Sequence, residues 1–233
     1  MAHYRKFVDT AFFGKWSPSM AYVLGYFAAD GSMYVNPHGA RYVDFVSTDR
    51  DLLEQVRCLL QSQHTIALRR RNARKAHWKP AYRLQIGGGE LFQALARRGF
   101  TPNKDGSMAF PSVPKQYLAD FVRGYFDGDS CISFGWCQKQ DRRSPSLWVQ
   151  LCFASGSFGF LAALDKALQE SVGVAPGYLR HRPSIGEFLY YQRRPDIRRL
   201  YSFFYSDVDH EPPQCYLGRK RTHFEKALQC MGA

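Results

Sequence analysis

The strongest constraint on how this chain folds is that part of it is written twice. The run Ser17-Pro-Ser-Met-Ala-Tyr-Val-Leu-Gly25-Tyr-Phe-Ala-Ala29-Asp30 is matched 99 residues later by Val113-Pro-Lys-Gln-Tyr-Leu-Ala-Asp-Phe-Val-Arg-Gly124-Tyr-Phe-Asp-Gly128-Asp129. Each copy places a proline near a helix start, where its missing N–H costs nothing. Gly-Tyr-Phe comes next, then a small residue four positions after the glycine, then an aspartate. Either copy alone reads as an ordinary apolar helix; together they read as a duplication.

The segments downstream of the two copies also match. After Asp30 come a short alternating run with Met33 and Val35, a turn at Asn36–Gly39, and a second run, Tyr42–Ser47. After Asp129 come Ile132 and Phe134, a polar turn through Gln140 to Pro145, and Leu147–Ala154. Phe45 and Phe153 align, so the second hairpin is longer by nine residues. Asp51–Leu60 and Phe158–Val172 are amphipathic helices by their apolar spacing. Strands are expected at Ile66–Arg71 and Tyr82–Ile86, and again at Tyr178–Arg182 and Phe188–Gln192. Helices at Glu90–Arg98 and Asp196–Tyr205 close the halves. Gly87-Gly-Gly89 lacks the Lys-Ser/Thr of a phosphate loop and reads as a strand-to-helix turn. The order is αββαββα, twice, with an N-terminal half over 1–99, a linker over 100–113 and a C-terminal half over 114–233.

Composition limits the partners. Of 233 residues, 32 are Lys or Arg and 20 Asp or Glu, a net charge of +12, while 45% are hydrophobic. That is enough to build a core and excludes a disordered basic tail. No apolar run approaches the roughly 20 residues of a membrane span. The N-terminal segment lacks a secretory signal, so an intracellular setting, in cytoplasm, nucleoid or organelle, is expected. Six cysteines include no Cys-x-x-Cys pair; four lie in apolar runs and are expected to act as small hydrophobes rather than to form disulfides. His64, His77, His181, His210 and His223 have no cysteine pair at zinc spacing.

The basic residues are clustered. Arg69, Arg70, Arg71, Arg74, Lys75, Lys79 and Arg83 occur without an intervening acid, interleaved with His77, Trp78 and Tyr82. Lys139, Arg142 and Arg143 form a second group, Arg180 to Arg182 a third, and Arg193 and Arg194 a fourth. They fall in or beside strands and turns, which suggests cations presented along a groove. Phosphate neutralisation by such groups favours nucleic acid over a merely soluble basic protein.

The repeat suggests chemistry. Residues four apart share a helix face, so Gly25 with Ala29, and Gly124 with Gly128, leave bare patches that allow close helix contact. Packed about a pseudo-two-fold axis, the two helices would bring Asp30 and Asp129 side by side at their C-terminal ends. That is an unfavourable place for two carboxylates. A divalent cation such as Mg²⁺ would relieve it, and two carboxylates at a metal beside a basic groove point to phosphodiester hydrolysis.

The copies Val23–Gly31 and Phe121–Ser130 resemble the signature of the LAGLIDADG homing endonucleases, and the resemblance spans nearly the whole chain. It implies an α+β fold of two pseudo-symmetric αββαββα halves, each with a four-stranded antiparallel saddle on DNA. It implies a monomer that cuts both strands of a long asymmetric duplex across the minor groove. Asp30 and Asp129 would be catalytic and, with Ala29 and Gly128, form the metal site. Mg²⁺ would be the cofactor and Mn²⁺ a substitute, with Ca²⁺ supporting binding without cleavage. Lys104 and Lys220, in segments resembling those that supply a basic residue to each scissile phosphate, would complete the catalytic set; the alternative for each is a solvated surface lysine. The sequence departs from the signature at Ala28 opposite Asp127, at Ser130 in place of the glycine at Gly31, and at Arg123, which is expected to face outward.

Strand alternation nominates the DNA-contacting side chains. With Met33 and Val35 facing the helices, Ser32, Tyr34, Asn36, His38, Asp44, Arg69, Arg71, Arg83 and Gln85 would serve one half-site. Ser133, Lys139, Gln150, Arg180, Arg182, Tyr191 and Arg193 would serve the other. A one-residue slip would invert any of these assignments. An RNA-binding intron maturase on the same fold, with cleavage lost, is the alternative; a DNA-binding regulator is a third reading. Retention of both aspartates and both lysines favours the nuclease over the maturase, and a regulator would not need both acids. An intein is not expected, because the sequence lacks a Cys/Ser start and a His-Asn end.

Overall fold

In a computed structural model of the chain, residues 6–69, 80–102, 106–138, 144–206, 208 and 215–232 are described. Helix α1, Pro18–Asp30, begins where Ser17 Oγ accepts a hydrogen bond from the Met20 N–H at 3.1 Å. Nine consecutive residues, Met20 to Ala28, are buried. A helix apolar on all sides belongs inside a protein, and its counterpart α4, Leu118–Asp129, is buried from Phe121 to Asp127.

The two helices pack on each other more extensively than any other pair of elements joined by helix contacts. A Cβ on Gly25 would stand 1.9 Å from the Phe121 carbonyl oxygen, and one on Gly124 would stand 2.0 Å from that of Tyr22. The contact is reciprocal, since Tyr22 and Phe121 each lie three residues before their own glycine. One turn on, a Cβ on Gly128 would meet the Ala29 methyl at 2.4 Å. Only one member of that pair can carry a methyl.

Each motif helix feeds a four-stranded antiparallel sheet. In the first half β1 (Gly31–Val35), β2 (Arg41–Ser47), β3 (Ile66–Leu68) and β4 (Tyr82–Gly87) are ordered β1-β2-β4-β3. In the second, β5 (Ser130–Cys137), β6 (Ser146–Ser155), β7 (Tyr178–Arg182) and β8 (Gly186–Tyr191) are ordered β5-β6-β8-β7. Gly31 pairs with Phe45 and Ser130 with Phe153, so the halves share one register with the extra nine residues confined to the second hairpin. Helices α2 (Arg50–Leu59) and α3 (Gly89–Arg97) cover one face of the first sheet. Helices α5 (Phe158–Val172), α6 (Arg194–Tyr205) and α7 (Gly218–Cys230) cover the same face of the second. The fold is therefore α+β with two like halves, as expected. Helix α7 is not among the expected elements; it adds an eighth to the second half.

The turn reading of the glycine run holds: Gly88, with φ 153°, links β4 to α3 in a conformation closed to other residues. Packing imposes four corrections. Arg123 does not face outward; it is 4% exposed and donates to the Phe204 and Cys215 carbonyls at 2.8 and 2.7 Å. Tyr191 does not lie on the open face; at 2% exposure it points to α5 and donates to Asp165 Oδ1 at 2.5 Å. The run Phe-Leu-Tyr-Tyr offers no polar alternation to fix parity, and the pairing of Leu151 with Tyr191 puts this tyrosine on the core side. Val35 does not reach the helices but ends its strand half exposed. Of the six cysteines, all free, only Cys152 and Cys215 are buried.

Replacing Gly25 or Gly124 by alanine is expected to cost about 1–3 kcal/mol or more, because the added methyl meets backbone that cannot rotate away. Gly218→Ala, where a Cβ meets nothing within 4 Å, should leave stability unchanged. Denaturant midpoints of the three variants test this.

Candidate metal centre and nucleic-acid interface

Asp30 and Asp129 are the last residues of α1 and α4. The close approach of the helices therefore delivers both carboxylates to one cleft, of about 240 Å³, lined also by Val46, Asp49, Asp127, Gly128 and Arg219. Asp30 Oδ2 lies 3.4 Å from where a Cβ on Gly128 would stand, so the first half's carboxylate rests against the residue preceding Asp129. The motif tyrosines hold this geometry from behind. Tyr26 donates to the Val46 carbonyl at 2.9 Å and Tyr125 to that of Ala154 at 2.6 Å, tying each helix to the end of its second strand. Burial, with the nearby Asp30 and Asp129 charges, raises both phenol pKa values.

Lys220 reaches this site but not as a solvated lysine. Its Nζ donates to the carbonyls of Phe126, Gly128 and Ser130 at 2.7, 2.9 and 2.8 Å. An ammonium has three protons, and all three go to the C-terminal end of α4, where a cation also offsets the helix dipole. Burial lowers its pKa, opposed by Asp127, Asp30 and Asp129. The Gly128 carbonyl, expected in the metal site, is thus already an acceptor from Lys220. Lys104, the expected counterpart, lies outside the described residues.

Asp127 also lines this cleft, and the sequence offered only its place in the motif. Its Oδ2 accepts from the Tyr22 hydroxyl at 2.8 Å and from the Leu217 N–H at 2.8 Å. It thereby joins both motif helices to the start of α7, which carries Lys220. Burial pushes its pKa up to about 6, against the lowering influence of Lys220 and of the two hydrogen bonds. Arg219, beside Lys220, is a second residue that sequence reasoning missed. Its Nε donates to Asp49 Oδ1 at 2.6 Å, across the boundary between halves and at the cleft's mouth. Only adjacency to the lysine segment signalled it.

The residues present suit a hard divalent cation. Two carboxylates line one cleft, and the residues before them, Ala29 and Gly128, carry one methyl between them. Among the described residues no group of three or more His, Cys, Asp and Glu could hold a metal ion. Further ligands to an ion between Asp30 and Asp129 would be carbonyls, water or substrate oxygens.

The face of each sheet away from the helices carries most of the remaining candidates. In the first, Ser32 pairs with Asp44, Asp44 with Gln85, and Ala67 with Arg83. Asp44 is only 5% exposed and binds Arg83 through Oδ2, at 2.5 Å from Nη2, while the Tyr34 hydroxyl accepts from Arg83 and Gln85. These four form one network. Arg69 lies at the exposed end of β3, and Arg71 lies outside the described residues. Asn36 is spent on the hairpin turn, accepting from the His38 and Ala40 N–H groups, with His38 exposed in the turn itself. In the second sheet Ser133 pairs with Gln150, which accepts from Gln192 at 2.8 Å. Arg180 and Arg182 share that face on β7. Arg193 lies beyond β8 at the start of α6, 3.7 Å from Asp196, and Lys139 lies outside the described residues. Sequence reasoning missed Trp148, Tyr190 and Gln192, which alternate onto the open face once Tyr191 is placed in the core.

Comparison with known proteins agrees with this architecture. Residues 17–98 match the model of the LAGLIDADG-like domain family. The first half is a LAGLIDADG-like domain. Meganuclease I-SmaMI bound to uncleaveable DNA is similar to this chain at a TM-score of 0.61 and 10% identity, over 91% of this chain and 89% of that one. The LAGLIDADG meganuclease I-AabMI bound to uncleaved DNA gives a TM-score of 0.60 at 13% identity, over 93% and 91%. I-SmaMI with an uncleaved DNA target and calcium ions gives 0.64 at 11%, over 92% and 90%. The two-half fold of the chain is thus the single-chain LAGLIDADG meganuclease fold. No curated protein matches at the sequence level. No helix among the described residues is long and apolar enough to cross a membrane.

The Asp127 environment makes a pH prediction. Between about pH 4 and 6 the folded chain retains a proton on Asp127 that the unfolded chain has released. Stability from this group therefore falls as pH rises through that window. Asp127→Asn should gain relative to the parent by up to about 3 kcal/mol between pH 4 and pH 7. Urea unfolding in EDTA at both pH values measures it, and equal differences would contradict it.

Proposed function

We propose that the chain is a monomeric, site-specific double-strand DNA endonuclease that uses Mg²⁺, with halves over 1–99 and 114–233 joined by 100–113. The observation that carries this reading is the placement of Asp30 and Asp129 together at two adjoining helix ends, between two open sheets with basic edges. A divalent ion bound there would supply charge neutralisation at the scissile phosphate and a more acidic water nucleophile. The chain's own residues do the positioning. Lys220 fixes the carbonyls on either side of Asp129 and so the direction of its carboxylate. Arg219, held by Asp49 at the cleft's mouth and more than half exposed, is placed to meet a phosphate with a planar pair of donors. Lys104 is proposed to act in the first half as Lys220 does in the second. Mn²⁺ should substitute, and Ca²⁺ should support binding alone.

Asp30→Asn and Asp129→Asn are each expected to abolish double-strand cleavage of a selected target while Ca²⁺-supported binding persists. Selection from a randomised duplex library for cleavage in Mg²⁺ supplies that target. Undiminished cutting by either variant would refute the mechanism; binding to structured intron RNA without any DNA cleavage would favour the maturase instead.

Affinity for the target should fall steeply with salt, because the sheet arginines and the basic clusters beside them displace condensed counterions. A flat dependence of log Kd on log salt would refute the groove assignment.

A further inference from the structure

The shared register allows the open faces of the two sheets to be superimposed residue by residue. Gly31–Phe45 in the first corresponds to Ser130–Phe153 in the second, and Phe45–Leu84 to Phe153–Leu189. Asp44 then occupies the place of Cys152, Arg83 that of Phe188, and Gln85 that of Tyr190. Three of the four members of the linked polar cluster in the first sheet are replaced by Cys, Phe and Tyr, and the fourth, Tyr34, by Ser133.

The replacement is built as a surface. Phe188 and Tyr190 stack with ring planes 12° apart, and Tyr190 and Tyr178 with planes 24° apart, making one plate across β8 and β7. Arg182 lies over Phe188 at 4.9 Å and keeps that edge cationic. Farther along the same face Trp148 lies on Gly135, whose absent side chain gives the indole a flat seat: a Cβ there would stand 3.1 Å from Nε1. Trp148 is 47% exposed and Tyr178 63%, so both present ring surface outward, while Tyr190, 6% exposed, backs the plate from within. A cationic rim around exposed rings suits a polyanion whose bases offer apolar groups.

In a duplex major groove the apolar group available for contact is the 5-methyl of thymine. We infer that the two half-sites are read by different chemistry. The first is read by hydrogen bonds from Arg83 and Gln85, and the second by contact of Trp148, Phe188 and Tyr178 with thymine methyl groups, with Tyr190 buried between the last two as their support. This inference rests on the nuclease reading of the preceding subsection.

Deoxyuridine keeps thymine's pairing and lacks only the methyl, so it isolates the contact. With a cleaved target in hand, each thymine is replaced in turn by deoxyuridine, and binding in Ca²⁺ is measured. Loss of one methyl contact should weaken binding about fourfold. The losses should fall at two or more positions of the half-site that the second sheet covers and at none covered by the first. Trp148→Ala should abolish the loss at its own position and leave the others. Phe188→Ala should do the same at a different position, with circular dichroism and the denaturant midpoint of each variant reporting that it is folded. Equal losses in both half-sites, no loss in either, or a loss unchanged by both substitutions would overturn the inference. Failure to bind or cut any duplex would instead overturn the nuclease reading.

Discussion

The contact on which the structure depends is backbone against backbone, where Gly25 meets Phe121 and Gly124 meets Tyr22. No side chain fits at either crossing, so the two helices approach as closely as their main chains allow. A carboxylate at the end of each helix is then carried to its twin without any loop having to place it. The sheets diverge from the same point, because Gly31 and Ser130 begin β1 and β5 directly after the aspartates. Cleft, carboxylates and open faces are all consequences of one close crossing.

The halves are alike in backbone and unlike in support. The second motif helix is braced by buried charge. Arg123 binds carbonyls from α6 and from the segment before α7 and pairs with Asp120, and Asp127 grips the first turn of α7. Ala28, the counterpart of Asp127, is a buried methyl. Burying Asp127 raises its pKa, and the strain is offset by placing Lys220 and two donors around it. Helix α7 thus becomes part of the scaffold behind the paired carboxylates.

The same divergence runs across the open faces. Strand register preserved the lattice on which side chains are mounted, while the residues at matching points changed from Asp, Arg and Gln to Cys, Phe and Tyr. The duplicated scaffold thus presents two unlike open faces, which suits the asymmetric duplex proposed as its target.

Much of this was legible without coordinates. The duplicated Gly-Tyr-Phe runs, the small residues one turn on and the terminal aspartates determined the helix crossing and the paired carboxylates, because steric exclusion at a glycine is a local property. Matching Phe45 with Phe153 determined the sheet register and the longer second hairpin. Tertiary structure alone decided the rest. Arg123 reads as a surface residue until carbonyls from two distant segments surround its guanidinium. Tyr190 and Tyr191 are chemically identical neighbours, and only pairing with β6 says which one faces the core. Lys220 reads as a free cation until three carbonyls at the end of α4 take its protons. In each case the deciding partner lies tens of residues away, and a side chain's role is set by its surroundings rather than by its own chemistry.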